Sequence, residues 1–125
     1  MDQIKIILVD DLSFMREAIR YIVEKENMII IGEAENGADA VKLYAKLSPD
    51  IVLMDITMPV MDGLESLKKI KEFDPGAKII MCSALGQQKY IIKAIQFGAK
   101  DFILKPFQPE RIISAITKAT GINDK

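Results

Sequence analysis

Hydrophobic positions along this chain follow two alternating spacings. Short, mostly apolar runs fall at residues 4–9, 28–34, 51–54, 78–82 and 101–104, and each reads as a strand. The third run, Ile51-Val52-Leu53-Met54, is apolar throughout, as a strand covered by helices on both faces must be. Between the runs, apolar residues recur every three or four positions. Phe14, Met15, Ala18, Ile19, Ile22 and Val23 mark the first helix, with Ser13 available as N-cap. Further helices are predicted over 38–47, 64–73, 88–97 and 109–120, the last with Pro109 at its first position. Asn36-Gly37, Ser48-Pro49, Asp74-Pro75-Gly76, Gly98 and Gly121 punctuate them.

Five strands alternating with five helices predict an α/β fold, an open parallel sheet with helices on both faces. The expected form is a flavodoxin-like (βα)5 doubly wound sheet with strand order 2-1-3-4-5. Ligands then bind at the carboxyl edge, where strands one and three lie side by side. With 125 residues and no repeat or linker, residues 1–125 read as a single domain.

Composition narrows the function classes. There are 17 basic and 18 acidic residues, a net charge of −1, which leaves no electrostatic footprint for nucleic acid. The opening Met1-Asp2-Gln3 lacks the basic, apolar start of a signal peptide, and no apolar run approaches the ~18 residues of a membrane span. A lone cysteine, Cys82, lies in an apolar run; it suits a reducing cytoplasm and reads as an inert buried thiol. The absence of histidine excludes an imidazole base or metal ligand.

The candidate chemistry lies where strands leave the core. Asp10 and Asp11 follow the first strand and Asp55 follows the third, so three carboxylates converge if those strands are neighbours. Unpaired like charges that close raise one another's pKa. A hard divalent cation such as Mg²⁺, bound by carboxylates and phosphate oxygens, is the simplest compensation. Ser83 after strand four and Lys105 after strand five would bring a hydroxyl and an ammonium to the same edge. Taken singly, Asp11 reads as a helix cap and Asp10 as a turn residue. Together the five residues read as a site for Mg²⁺ and a phosphoryl group. Asp55, alone on its strand, is the better nucleophile, and the Asp10–Asp11 pair the better metal holder.

The chain resembles the receiver domains of two-component response regulators. The resemblance rests on Val9-Asp10-Asp11, Met54-Asp55-Ile56-Thr57-Met58-Pro59, Asp62-Gly63, Ser83-Ala84 and Lys105-Pro106, in order and on the expected loops. A closer likeness, to the single-domain regulators of chemotaxis, lies in Cys82-Ser83-Ala84-Leu85-Gly86-Gln87-Gln88, in Gly98-Ala99-Lys100-Asp101-Phe102 and in Lys105-Pro106-Phe107-Gln108-Pro109. It implies that Asp55 accepts phosphate from a phosphohistidine on a chemotaxis-type histidine kinase. It implies direct Mg²⁺ ligation by Asp11, Asp55 and the Thr57 backbone carbonyl, with Asp10 acting partly through water. Ser83, Ala84 and Lys105 would bind phosphoryl oxygens, and a cis Lys105–Pro106 bond would aim the lysine inward.

A switch is also implied. Ser83 would turn toward the phosphoryl group, and Phe102 would fill the space it vacates by packing alone, since Phe has no hydroxyl. Ile92 points away from the apolar face formed by Tyr90, Ile91, Ala94, Ile95 and Phe97, and with Phe102 it is a candidate partner face. The resemblance further implies a monomeric cytoplasmic protein with no output domain. Its partners would be the kinase, a phosphatase and the flagellar motor switch protein. Two other readings stay open: an intermediate of a sporulation-type phosphorelay, and a haloacid-dehalogenase-type phosphohydrolase. Many of the latter need a second Asp two residues past the nucleophile, where this chain has Thr57.

Overall fold

Apolar residues on both faces of each strand require two covering layers, and the computed structural model, which describes residues 3–84 and 87–121, has them. The strands are β1 (Ile4–Val9), β2 (Met28–Ala34), β3 (Ile51–Asp55), β4 (Ile79–Ser83) and β5 (Asp101–Leu104). They alternate with helices α1 (Ser13–Val23), α2 (Gly37–Leu47), α3 (Gly63–Phe73), α4 (Gln88–Gln96) and α5 (Pro109–Thr120). The sheet is parallel in the order β2-β1-β3-β4-β5, the expected doubly wound arrangement. Successive strand residues point to opposite faces. Ile6, Leu8, Leu53, Ile80 and Ile103 pack with Ile19 and Val23 of α1 and Ile112 and Ile116 of α5. Ile7, Val9, Val52, Met54 and Met81 pack with Tyr44 of α2, Leu67 and Ile70 of α3, and Ala94 of α4. Met54, Met58 and Met81 are buried filler.

Helix starts differ from the pattern-based reading in an informative way. Helix α2 begins at Gly37 because the Asn36 side chain accepts the Asp39 N–H at 2.8 Å. Helix α3 begins at Gly63 because the Asp62 side chain accepts the Glu65 N–H at 2.9 Å. These polar side chains satisfy amide donors that a helix start leaves open. Ser13 is not a cap: the N-cap position of α1 is Leu12, which makes no side-chain cap bond. The two glycines are needed for close approach. A Cβ on Gly37 would lie 2.6 Å from the Met61 carbonyl oxygen, and one on Gly63 would lie 2.1 Å from that of Asp55.

Two apolar readings are corrected. Phe14 is 66% exposed and Ala18 is exposed, because α1 turns Ile19 and Val23, with Met15 and Ile22 beside them, toward the sheet. Ile95 is 56% exposed, because α4 meets the core through a narrow stripe centred on Ala94. Tyr44 is buried as expected, and its hydroxyl donates to Asp74 Oδ2 at 2.8 Å. Leu85 and Gly86, quoted in the family likeness, lie outside the described residues.

Gly63 couples the α3 start to the strand that ends in Asp55. Gly63→Ala is expected to cost about 1–3 kcal/mol by overpacking, lowering the melting temperature by about 5–10 °C. Gly76→Ala, whose Cβ would meet nothing closer than 3.5 Å, is the control. Equal melting curves for the two variants would contradict the close approach.

Candidate functional site

Strand register brings the predicted residues together. Val9 pairs with Met54, so the residues that follow, Asp10 and Asp55, emerge side by side. Asp55 pairs in turn with Cys82, and Ser83 pairs with Leu104, so Ser83 and Lys105 end at the same edge. Asp55 and Ser83 are the last residues of their strands, each one position deeper than the pattern suggests. Carboxylate oxygens of Asp10, Asp11 and Asp55 lie within 4.8 Å of one another. Asp10 and Asp55 are buried, while Asp11 is exposed.

Lys105 is the counter-charge. Its Nζ lies 3.3 Å from Asp10 Oδ2 and 3.4 Å from Asp55 Oδ2. The Lys105–Pro106 peptide that precedes α5 is cis, as the resemblance implies. Asp10 combines both of its sequence readings. Its Oδ1 accepts the Leu12 N–H at 2.9 Å, which closes a local turn, while its Oδ2 faces the lysine. Asp55 Oδ1 accepts the N–H of Ile56 at 2.9 Å.

Burial raises the pKa of Asp55 by penalising its charged form. Lys105 opposes that shift, and Asp10 adds to it. For Lys105, burial alone would lower the pKa, but Asp55 and Asp10 overcome it and the net shift is upward. A lone ammonium therefore does not fully offset the carboxylates. A cluster of oxygen donors with residual negative charge fits a hard divalent cation, Asp11 being the carboxylate most open to solvent. The Ser83 hydroxyl is buried with no hydrogen-bond partner among the described residues. Such an orphan donor costs stability unless something at the site uses it.

Phe102 is partly buried against the α2–α4 layer. Ile92 on α4 is 63% exposed, as predicted, and Leu104 at the end of β5 is also exposed. Two residues escaped the sequence reading. The Arg16 guanidinium donates to the Asp10 carbonyl and bonds Glu33 at 2.7 Å, bracing the acidic loop from α1. Gln87 joins Ala84 to Thr57, both beside the site. A basic residue one helical turn past the aspartates was a faint signal for the first. No local pattern marks the second, which spans 30 positions.

Three carboxylates beside an ammonium, at the switch point of a five-stranded parallel sheet, are the arrangement expected of a phosphoacceptor domain. The chain belongs to the response regulator receiver domain family, which residues 6–117 match. Such domains are phosphorylation-activated switches of two-component signalling rather than enzymes acting on a separate substrate, so the phosphohydrolase reading is set aside. The chain is 57% identical over 114 residues to chemotaxis protein CheY of Bacillus subtilis, spanning 91% of this chain and 95% of that one. It is 52% identical over 116 residues to CheY of Thermotoga maritima, spanning 93% and 97%. Among solved structures, the CheX–CheY–BeF3–Mg²⁺ complex from Borrelia burgdorferi matches with a TM-score of 0.89 at 36% identity, over 94% of this chain and 89% of that one. Among the described residues, no helix is long and apolar enough to cross a membrane.

The raised Asp55 pKa has a definite sign in stability. A group whose pKa is raised by folding favours the fold while protonated, and that contribution is lost as pH rises through the folded-state value. Ionised Asp55 therefore weakens the metal-free fold at neutral pH. Asp55→Asn is expected to raise the melting temperature in a chelator by about 3–5 °C, the response of a domain this size to ~1 kcal/mol. Added Mg²⁺ should stabilise the unsubstituted chain more and narrow the gap. A lower melting temperature for Asp55→Asn would refute the electrostatic account. Separately, burial pushes the Cys82 thiol up to about 12. An aromatic disulfide reagent at pH 8 should label it only on unfolding, and rapid labelling of the native chain would show an accessible thiolate.

Proposed function

We propose that this chain is a phosphorylation-switched binding module of a chemotaxis pathway. The observation that carries the reading is Lys105 Nζ held between Asp10 and Asp55 beside a third carboxylate. An Asp55 carboxylate oxygen attacks the phosphorus of a kinase phosphohistidine, the P–N bond breaks, and the imidazole leaves with a proton. Mg²⁺, when bound, neutralises charge on the transferring phosphoryl oxygens. Asp11, Asp55 and the Thr57 backbone carbonyl would hold it, with Asp10 acting partly through water. Support for this division comes from Asp10 itself, whose two oxygens already serve Leu12 and Lys105, whereas Asp11 is exposed. Ser83, Ala84 and Lys105 receive the phosphoryl oxygens. The Ser83 hydroxyl, without a partner among the described residues, supports that role.

Phosphorylation adds about −1.5 to −2 charges and three acceptor oxygens at Asp55. Ser83 turns toward them, and the Phe102 ring moves into the vacated space without a hydroxyl to pair. The output is binding, through a face containing Ile92 and Phe102. The exposure of Ile92 and Ile95 on α4, and of Leu104 at the end of β5, supports such a face. The named relatives favour chemotaxis over a phosphorelay. The donor is then a chemotaxis-type histidine kinase, the target the flagellar motor switch protein, and a phosphatase resets the signal. We place this module in the cytoplasm as a monomer.

Incubation with Mg²⁺ and a small acyl-phosphate donor should add one phosphoryl group per chain by intact mass. Asp55→Asn should add none, and uptake persisting in that variant would move the acceptor elsewhere. In the phosphorylated state, Ile92→Ala should weaken binding to the motor switch protein about three- to tenfold, the loss of an anchor worth ~1 kcal/mol. Unchanged binding would remove Ile92 from the face.

A further inference from the structure

The β4–α4 loop carries a contact that neither the fold nor the charge cluster requires. Gln87, just before α4, turns its side-chain amide back over the loop. Its Oε1 accepts the Ala84 N–H at 2.7 Å, and its Nε2 donates to the Thr57 hydroxyl on the β3–α3 loop. Thr57 lies two residues past Asp55, and Ala84 is the residue after Ser83. One amide group therefore ties together the two loops that flank the acceptor.

We propose that Gln87 is a positioning residue that latches the unphosphorylated site and is displaced by the phosphoryl group. The argument is a competition for donors. A phosphoryl group on Asp55 brings three strong acceptor oxygens. The ammonium of Lys105 lies 3.4 Å from the Asp55 carboxylate, and the Ser83 hydroxyl has no partner among the described residues. The next donor along the chain from Ser83 is the Ala84 N–H, which Gln87 Oε1 occupies. A neutral amide oxygen there stands in for a phosphoryl oxygen. A charged acceptor makes the stronger hydrogen bond, so the incoming oxygen wins that donor. Once Oε1 is released, the tie from Nε2 to Thr57 goes with it, and Ala84 is free to follow Ser83. Gln87 in this way sets a threshold for activation and couples the acceptor loop to the start of α4. This inference rests on phosphorylation at Asp55.

The test uses the full chain with Mg²⁺ and beryllofluoride as the phosphoryl stand-in, followed by ¹H–¹⁵N spectra. In the unsubstituted chain, the Gln87 side-chain amide and the Ala84 N–H should shift together on saturation. Gln87→Ala should reach half-saturation at about three- to tenfold lower beryllofluoride, the equivalent of one net hydrogen bond no longer in competition. Thr57→Val, which removes one end of the latch, should give a smaller gain in the same direction. The double variant should be no tighter than Gln87→Ala, since both act on one contact. A purely structural role would lower the melting temperature without tightening beryllofluoride. The latch is overturned if Gln87→Ala binds beryllofluoride equally or more weakly, or if the Gln87 amide stays put on saturation. Equal binding by the unsubstituted chain and Asp55→Asn is a different result, which removes the Asp55 acceptor and the latch with it.

Discussion

Lys105 standing between Asp10 and Asp55 is the constraint around which this domain is organised. Three carboxylates at one sheet edge repel, and burying two of them removes the water that would screen the repulsion. A single ammonium, held 3.3 and 3.4 Å from the two buried acids, reduces that cost without cancelling it. What remains is a net negative site at the mouth of a rigid sheet. That residual charge leaves the edge receptive to a cation, while the Lys105 ammonium opposes the burial and the Asp10 charge that raise the Asp55 pKa.

The strands were legible because full burial leaves little freedom in residue choice. Runs such as Ile51 to Met54 admit few alternatives, and strand register then dictates which loop residues meet. For the same reason Asp10, Asp55, Ser83 and Lys105 were legible as a group: each sits at the C-terminal end of a parallel strand. The helix faces were less legible. Apolar spacing placed Phe14 and Ile95 inward, yet α1 and α4 meet the sheet through stripes narrower than their apolar content. Such a surplus is invisible to periodicity, since a residue one position off the buried stripe has nearly the same spacing.

Long-range polar contacts were the least legible. Gln87 reaches Thr57 across 30 residues, and Arg16 grips the backbone oxygen of Asp10. Neither contact has a hydrophobic signature, and a glutamine or arginine at a helix start usually reads as solvated surface. The caps from Asn36 and Asp62 lie between these extremes. Their chemistry is local, so residue type pointed to a break there, but the exact first residue of each helix depended on the side-chain bond.

Asp55 is the final rung of β3, paired with Cys82, and the next amide, Ile56 N–H, still bonds the Cys82 carbonyl at 3.1 Å. The proposed acceptor is thus held within the hydrogen-bonded ladder of the central sheet. A charge added there would meet a support fixed by strand pairing, which leaves any response to segments outside the ladder. Direction is built into such an arrangement. On the proposed reading, the domain would join a receiving end fixed by strand pairing to reporting segments outside the ladder, and variation in the reporter would leave the receiver undisturbed.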